Sequence, residues 1–156
     1  MGDETMPMPA GTELLRVIRM VRRLNAPPER VWRAWAHPEE LARWLPERVE
    51  GALAEDARTV LVWRDRRVWW DVVEIETGRT FTFRRPWLPD ERVVSTVRVT
   101  IVPSGYGTRL RLEDGPFPLD QPGGIDAWAE SIQTWSEALT MLRAYLDFSV
   151  DIRPRQ

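Results

Sequence analysis

Two charged residues, Arg22 and Asp71, stand in strand-like segments that otherwise carry apolar side chains. Arg22 has the parity of Met20 and Asp71 has the parity of Val73, so both could point into the interior of a sheet protein. A buried pair of this kind would orient the polar group of a ligand or take part in acid–base chemistry. Two alternatives stay open. A twist or bulge turns one side chain outward, or the inward set of the second strand is Trp70, Val72 and Glu74.

The composition removes several common catalytic chemistries. The chain of 156 residues contains no cysteine, and all 22 of its basic residues are arginine. Thiolate nucleophiles, disulfides and the common structural zinc sites are thereby excluded, as are lysine Schiff bases. The single imidazole, His37, precedes a proline between two predicted helices, where a capping or exposed position is expected. We therefore assign no catalytic residue, no metal site and no cofactor.

Charge and hydropathy limit the partners. The 22 basic and 24 acidic residues are interspersed and the formal net charge is −2, so no basic stripe is available to contact a phosphate backbone. No segment approaches the roughly 20 apolar residues that a bilayer span needs. Residues 1–13 are acidic and proline-rich, unlike a signal peptide. We predict a cytoplasmic protein that neither spans a membrane nor binds nucleic acid.

The periodicity predicts the elements that would position these groups. A period-2 strand at residues 14–24 is followed by two short helices at residues 29–36 and 38–44. Six short β-like segments then occupy residues 48–113 with turn residues between them, as in an antiparallel meander. The last element is a helix at residues 125–148, whose predicted apolar stripe is Ile125, Trp128, Ile132, Trp135, Leu139, Leu142 and Leu146.

A single long helix with one apolar face must lie on a large surface, and the sheet is the only one that the chain offers. The predicted fold is therefore α+β, with a curved antiparallel sheet of about seven strands, two short helices after the first strand and a long C-terminal helix across the sheet. Residues 14–150 are predicted to form this domain. Residues 1–13 are predicted to be a flexible N-terminal segment, and residues 151–156 a polar tail.

Three segments resemble the START/Bet v 1-like (SRPBCC) superfamily and, within it, the family related to the activator of the Hsp90 ATPase. Residues 24–35 read LNAPPERVWRAW and, with residues 37–41 (HPEEL) and Trp44, are similar to the strand, Ala-Pro corner and two short helices of that family. Residues 107–115 are similar to its last-strand Gly-Thr motif. The third segment is similar to its closing helix, through Trp135, Leu139 and Leu142.

The sequence departs from the family pattern at three places. His37 stands where the family has Asp, Thr134 stands where it usually has Gly, and the second hairpin lacks the usual Gly-Gly turn. The first two changes leave the expected fold intact. The changed hairpin predicts a pocket mouth of different shape.

The resemblance implies a helix-grip fold whose cavity binds apolar or aromatic molecules in many relatives. In this architecture the first half of the closing helix stands off the sheet, which is where we expect the cavity. The alternative is that the aromatic rings fill the interior and leave no usable space. The predicted ligand-binding residues are Trp128, Ile132 and Trp135 of the helix, Trp63, Phe81, Phe83 and Val97 of the strands, and the polar residues Arg22 and Asp71.

The predicted function is non-covalent binding of an apolar or aromatic small molecule in an internal cavity between the sheet and the C-terminal helix. The same fold also serves polyketide cyclases and co-chaperone domains, so the fold alone does not select one activity. A cyclase- or dehydratase-like enzyme using the same cavity is one alternative, and an Hsp90 co-chaperone-like interaction module is another. Outward-facing aromatic residues are compatible with a homodimer.

Overall fold

The computed structural model describes residues 14–87 and 91–154, so the predicted N-terminal segment 1–13 lies outside the described residues. The strands are β1 (Leu15–Leu24), β2 (Arg48–Glu50), β3 (Arg58–Val62), β4 (Arg67–Glu76), β5 (Thr80–Pro86), β6 (Val94–Ser104) and β7 (Gly107–Pro118), and the helices are α1 (Pro28–Ala36), α2 (Pro38–Leu41) and α3 (Gly124–Phe148).

The seven strands form one antiparallel sheet in the order β1-β7-β6-β5-β4-β3-β2. Each strand from β2 to β6 pairs with the next one along the chain, and β1 pairs with β7. The sheet is open, with β1 and β2 at its edges, and α3 lies across it. The predicted α+β helix-grip fold is confirmed.

Proline and tryptophan shape the passage from β1 into the two short helices. Pro28 occupies the first turn of α1, where its missing N–H costs no hydrogen bond. α2 is a single turn that ends at Leu41, earlier than the predicted end at residue 44. The indole of Trp44 then donates a 2.8 Å hydrogen bond to the carbonyl oxygen of Ala34. This bond holds the segment after α2 against α1.

The late strands bury the faces that their alternation predicts. Val99 and Ile101 of β6 and Leu110 and Leu112 of β7 are all buried. The register aligns Val99 with Leu112 and Ile101 with Leu110. Since directly opposed side chains point to the same side of a sheet, the two strands present one continuous apolar surface to the core.

β4 changes its inward parity within its length. Trp70 and Val72 are buried, whereas Asp71 between them is half-exposed. A register shift follows Val72, and beyond it Ile75 aligns with the buried Phe81. One extra residue in a bulge reverses the alternation of a strand. The first half of β4 therefore turns Trp70 and Val72 inward, as in the alternative inward set. The second half turns the parity of Ile75 inward instead.

The first half of α3 turns a different face to the sheet from the predicted stripe. Ile125 is 58% exposed and Ile132 is 39% exposed, while Ser131 is fully buried. The reason lies beneath the helix, where Ser131 donates a hydrogen bond to the buried Asp114. Small or hydroxyl-bearing residues face inward there, and the stripe matches its prediction only from the middle of the helix. The buried residues of α3 are Gly124, Ala127, Ser131, Trp135, Ala138, Leu139 and Leu142.

Close contacts hold both ends of α3. A Cβ atom on Gly124 would lie 1.9 Å from the carbonyl oxygen of Pro118, so only glycine permits this approach to the end of β7. After the helix, Arg153 donates hydrogen bonds to the carbonyl oxygens of Ala42 (2.8 Å) and Pro46 (2.7 Å). None of the helices in the described ranges is long and apolar enough to cross a membrane.

Aromatic rings fill much of the space between α1, α3 and the sheet. Trp70 stacks on Phe83 with ring centroids 3.9 Å apart, and Trp35 meets Trp44 edge-on at 5.0 Å. Trp135 of α3 lies 6.2 Å from Trp35 and 6.5 Å from Trp70. The interior is therefore largely packed, and its remaining space lies to one side of these rings.

Candidate ligand-binding site

A cavity of about 350 Å³ lies beside the aromatic rings, between α3, the strands β4 and β5 and the turn that joins β3 to β4. Trp70 and Trp135 form its aromatic wall, and Val68 and Ala138 add apolar surface. This volume is at the lower end of the range found for small-molecule sites, and a concave apolar wall with a few polar groups is their usual composition.

The mouth of the cavity is formed at the turn between β3 and β4. The indole of Trp63 donates a 3.1 Å hydrogen bond to the carbonyl oxygen of Leu45, which fixes the ring. The guanidinium of Arg66 lies 4.5 Å from the centroid of the Trp63 ring. Trp63, Arg66 and Met141 also line a wider groove on the surface. The cavity is thus continuous with the exterior at this turn.

Arg85 is the charged group deepest in the cavity wall. It shares the inward parity of Phe81 and Phe83 on β5 and is only 8% exposed. Its guanidinium carbon lies 3.7 Å from the centroid of the Trp87 ring and 5.6 Å from that of Trp135. Stacking on aromatic faces stabilises an arginine cation without using its N–H donors.

The environment of Arg85 leaves its charge poorly compensated. Burial lowers the pKa of Arg85 to about 10, although the negative charges of Asp114 and Glu130 act in the opposite direction. The side chain therefore stays protonated at neutral pH. Its Nε has no hydrogen-bond partner within the described ranges, and it forms no ion pair with a carboxylate of those residues.

Asp114 is a second buried charge, held beneath α3. Its Oδ2 accepts hydrogen bonds from the hydroxyl of Ser131 (2.7 Å) and the indole of Trp135 (2.8 Å). Burial raises the pKa of Asp114, while the hydroxyls of Ser95 and Ser131, the indole of Trp135 and the charge of Arg85 partly oppose this rise. Asp114 thus orients Trp135, whose ring lines the cavity.

The predicted binding residues fall into three groups in the structure. Trp63 and Trp135 line the cavity, at its mouth and on its helical wall. Phe81, Phe83 and Val97 are completely buried in the core and are absent from the cavity wall. Trp128 is partly buried against the core and Ile132 is partly exposed, and neither lines the cavity.

The internal pair expected between Arg22 and Asp71 is not formed, and this prediction was wrong. Asp71 lies on the outer face of the sheet, where it accepts hydrogen bonds of 2.7 and 2.9 Å from Arg58. Arg22 lies on the edge strand β1 and donates to the carbonyl oxygen of Val21. Three strands separate β1 from β4 in the sheet, so no local change could join the two side chains. Asp71 points outward because its neighbours on β4, Trp70 and Val72, point inward.

Arg85 and Asp114 are the residues that the sequence argument missed. The alternation along each strand could have identified them as inward-facing. Arg85 continues the alternation of Phe81 and Phe83, and Asp114 continues that of Leu110 and Leu112. Two adjacent charged residues, Arg84-Arg85 and Glu113-Asp114, look like solvated surface in a sequence. In each pair the second member is the buried one.

Comparison with known families decides the classification. The model of the family described as "Activator of Hsp90 ATPase homolog 1-like protein" matches residues 25–147. The chain belongs to this family. The resemblance carried by the three motif segments is therefore confirmed. Among curated proteins, none matches the chain significantly. No cluster of metal-ligating side chains occurs among the residues that the structure describes.

Solved structures of other proteins share the fold of this family member. Protein MLL2253 from Mesorhizobium loti matches 86% of this chain and 99% of its own, with a TM-score of 0.75 and 24% identity. The Aha1 dimer from Colwellia psychrerythraea matches 85% of this chain and 96% of its own, with a TM-score of 0.73 and 15% identity. CalU16 from Micromonospora echinospora matches 84% of this chain and 74% of its own, with a TM-score of 0.67 and 24% identity. At these identities the likeness establishes the fold. A homodimer of this chain stays a prediction.

Proposed function

We propose that this family member binds an aromatic or apolar small molecule non-covalently in the cavity between α3, β4, β5 and the β3–β4 turn. The observation that carries the proposal is the 350 Å³ cavity itself, whose wall contains the rings of Trp63, Trp70 and Trp135. Polar side chains of Arg66, Arg85, Glu130, Gln133, Thr134 and Glu137 complete the wall. Aromatic walls favour flat apolar ligands, because they offer a large contact area at fixed geometry.

The rigidity of the wall supports the same function. The indole of Trp135 is held by Asp114, and Trp70 is stacked on Phe83. Both rings are buried, so a ligand entering the cavity would need to order little of the protein. Preorganised walls lower the entropic cost of binding.

The test uses two matched substitutions on α3. Ala138 is buried and lines the cavity, whereas Ala129 is exposed on the same helix. Ala138→Leu adds apolar volume to the cavity and should abolish binding, while Ala129→Leu adds the same atoms outside it and should leave binding unchanged. The probe is 2-naphthamide, a flat neutral aromatic, and its binding is measured by isothermal titration calorimetry.

A thermal melt gives the second measurement. At a probe concentration of about 100 Kd, the wild type should gain about 5 to 10 °C in melting temperature. Absence of heat and of a thermal shift in the wild type, with 2-naphthamide and with its carboxylate analogue 2-naphthoate, would contradict the proposal, as would equal binding by the two variants. Chemical conversion of the bound probe would instead indicate the cyclase- or dehydratase-like enzyme.

A further inference from the structure

Two buried donors at the cavity lack acceptors. The Nε of Arg85 and the Nε1 of Trp70 have no hydrogen-bond partner in the described part of the chain, and both residues line the cavity. Buried polar groups are nearly always paired, so each unpaired donor raises the question of what completes it. The group that would satisfy both donors is a hydrogen-bond acceptor.

The charge of Arg85 makes the requirement more specific. A buried guanidinium without a bonded anion has lost its hydration. Arg85 receives in return cation–π contacts and the charges of Asp114 and Glu130, with neither of which it forms an ion pair. Those contacts are made to the rings of Trp87 and Trp135 and occupy none of the N–H donors of the guanidinium. The fork of donors matches a planar anion such as a carboxylate.

The other charges of the cavity are arranged by depth. Glu130 and Glu137 also line it, but Glu137 is exposed and Glu130 is half-exposed on α3. Exposed charges are screened by water and interact weakly with a buried ligand group. Arg66 lies at the mouth on the ring of Trp63 and is exposed as well. Among the described residues of this wall, the only buried charged side chain is the cation Arg85.

We propose that the ligand of this cavity is an aromatic anion, a ring system bearing a carboxylate or a similar planar anionic group that pairs with Arg85. This inference rests on the proposed function, since it names the ligand class for the same cavity. The rings would lie against Trp70 and Trp135, and the anionic group would accept hydrogen bonds from Arg85. The cavity volume suits a ligand of about one or two rings.

The test compares two probes that differ only in charge. These are 2-naphthoate and its neutral analogue 2-naphthamide, titrated into the full-length protein by calorimetry at neutral pH. We expect the wild type to bind the carboxylate at least about tenfold more tightly than the amide, as a charge-assisted bidentate bond is stronger than a neutral one. The ratio of the two dissociation constants is the measured quantity.

Neighbouring arginines provide matched controls for the substitution. Arg85→Met should lose the preference for the carboxylate and retain binding of the amide. Arg84→Met should keep the preference, because Arg84 is exposed on the opposite face of the same strand. If Arg85→Met does not unfold cooperatively in a thermal melt, Arg85→Gln, which keeps a polar side chain, replaces it.

The outcomes distinguish failure of the anionic-ligand inference from failure of the proposed binding function. Equal affinity of the wild type for the two probes would overturn the anionic ligand and leave the proposed function standing. The same holds if the preference for the carboxylate survives Arg85→Met or disappears in Arg84→Met. If the wild type binds neither 2-naphthoate nor 2-naphthamide, both the proposed function and this inference are overturned.

Discussion

The two charged clusters in contact with α3 are built in opposite ways. Near its C-terminal end, Arg30, Glu40 and Tyr145 bond to one another, with Arg30 to Glu40 at 2.7 Å and Tyr145 to Glu40 at 2.8 Å. Near its N-terminal end, Arg85 and Asp114 are buried, and each keeps an atom without a partner in the described residues. We call these the closed cluster and the open cluster.

The difference separates structure from binding capacity. In the closed cluster the hydroxyl of Tyr145 also accepts a 3.0 Å hydrogen bond from Arg30, so the three polar groups satisfy one another and join α1, α2 and α3. In the open cluster the charge of Arg85 faces the cavity with bonding capacity left over. A closed cluster needs nothing from outside, whereas an open one gains from a ligand.

The largest effect is expected at Asp114. Asp114→Ala leaves the hydroxyl of Ser131 and the indole of Trp135 without their acceptor and removes the countercharge of Arg85, so it should lower the free energy of unfolding by about 3 kcal/mol. Asp114→Asn keeps an amide oxygen and should cost about 1 kcal/mol. Urea denaturation measures both, and equal losses would show that the acceptor does not matter.

A smaller loss is expected in the closed cluster. Glu40→Ala removes the acceptor of Arg30 and Tyr145, but these groups lie near the surface and water can replace the carboxylate. We expect a loss of about 1 kcal/mol in the free energy of unfolding, again by urea denaturation. A loss as large as that of Asp114→Ala would remove the distinction between the two clusters.

The two carboxylates should respond to pH in opposite directions. Burial raises the pKa of Asp114 above 3.8, so protonation of Asp114 favours the folded state. This proton-linked part of the stability is greatest at low pH and is lost as the pH rises through the folded pKa. Burial alone would raise the pKa of Glu40 too, but hydrogen bonds from Tyr145 and Arg30 lower it below 4.5. The contribution of Glu40 is therefore present above about pH 4.5 and is lost below it.

The measurement is the free energy of unfolding between about pH 7 and pH 3 for the wild type, Asp114→Asn and Glu40→Gln. As the pH falls, the wild type should gain stability relative to Asp114→Asn and lose it relative to Glu40→Gln. Parallel curves for the two differences would contradict the assignment of opposite pKa shifts.

The smallest effect is expected at Asp71. Asp71 and Arg58 form an ion pair on the outer face of the sheet, with 39% and 56% of their side chains exposed. Pairs of this kind contribute little, and the outer face has no access to the cavity. Asp71→Asn should leave the affinity for 2-naphthoate unchanged in calorimetry. A loss of affinity would indicate that Asp71 contacts the ligand after all, as the sequence predicts.

Most of the fold could be predicted from local sequence patterns. The alternation of Val99 and Ile101, and of Leu110 and Leu112, depends only on the two-residue repeat of a strand, and the corner at Pro28 depends on the geometry of proline. These properties belong to the chain itself. The order of elements and the family membership could therefore be predicted from the sequence.

The candidate site was less predictable because parity alone does not settle which charges are buried. Asp71 and Arg85 each share a parity with apolar neighbours, yet Asp71 is outside and Arg85 is inside. For β4 the decision came from its pairing with β5 and the bulge after Val72. A bulge costs little locally, and its position depends on the partner strand.

The sequence by itself determined a seven-stranded sheet, a long closing helix and a surplus of tryptophan, since periodicity and composition act along the chain. Only the tertiary structure decided that Ser131 rather than Ile132 faces the sheet, and that Arg85 has no bonded anion among the described residues. The physical reason is that the burial of a charge depends on neighbours distant in sequence. Asp114 lies 17 residues from Ser131, and their contact turns the helix face that forms the cavity wall.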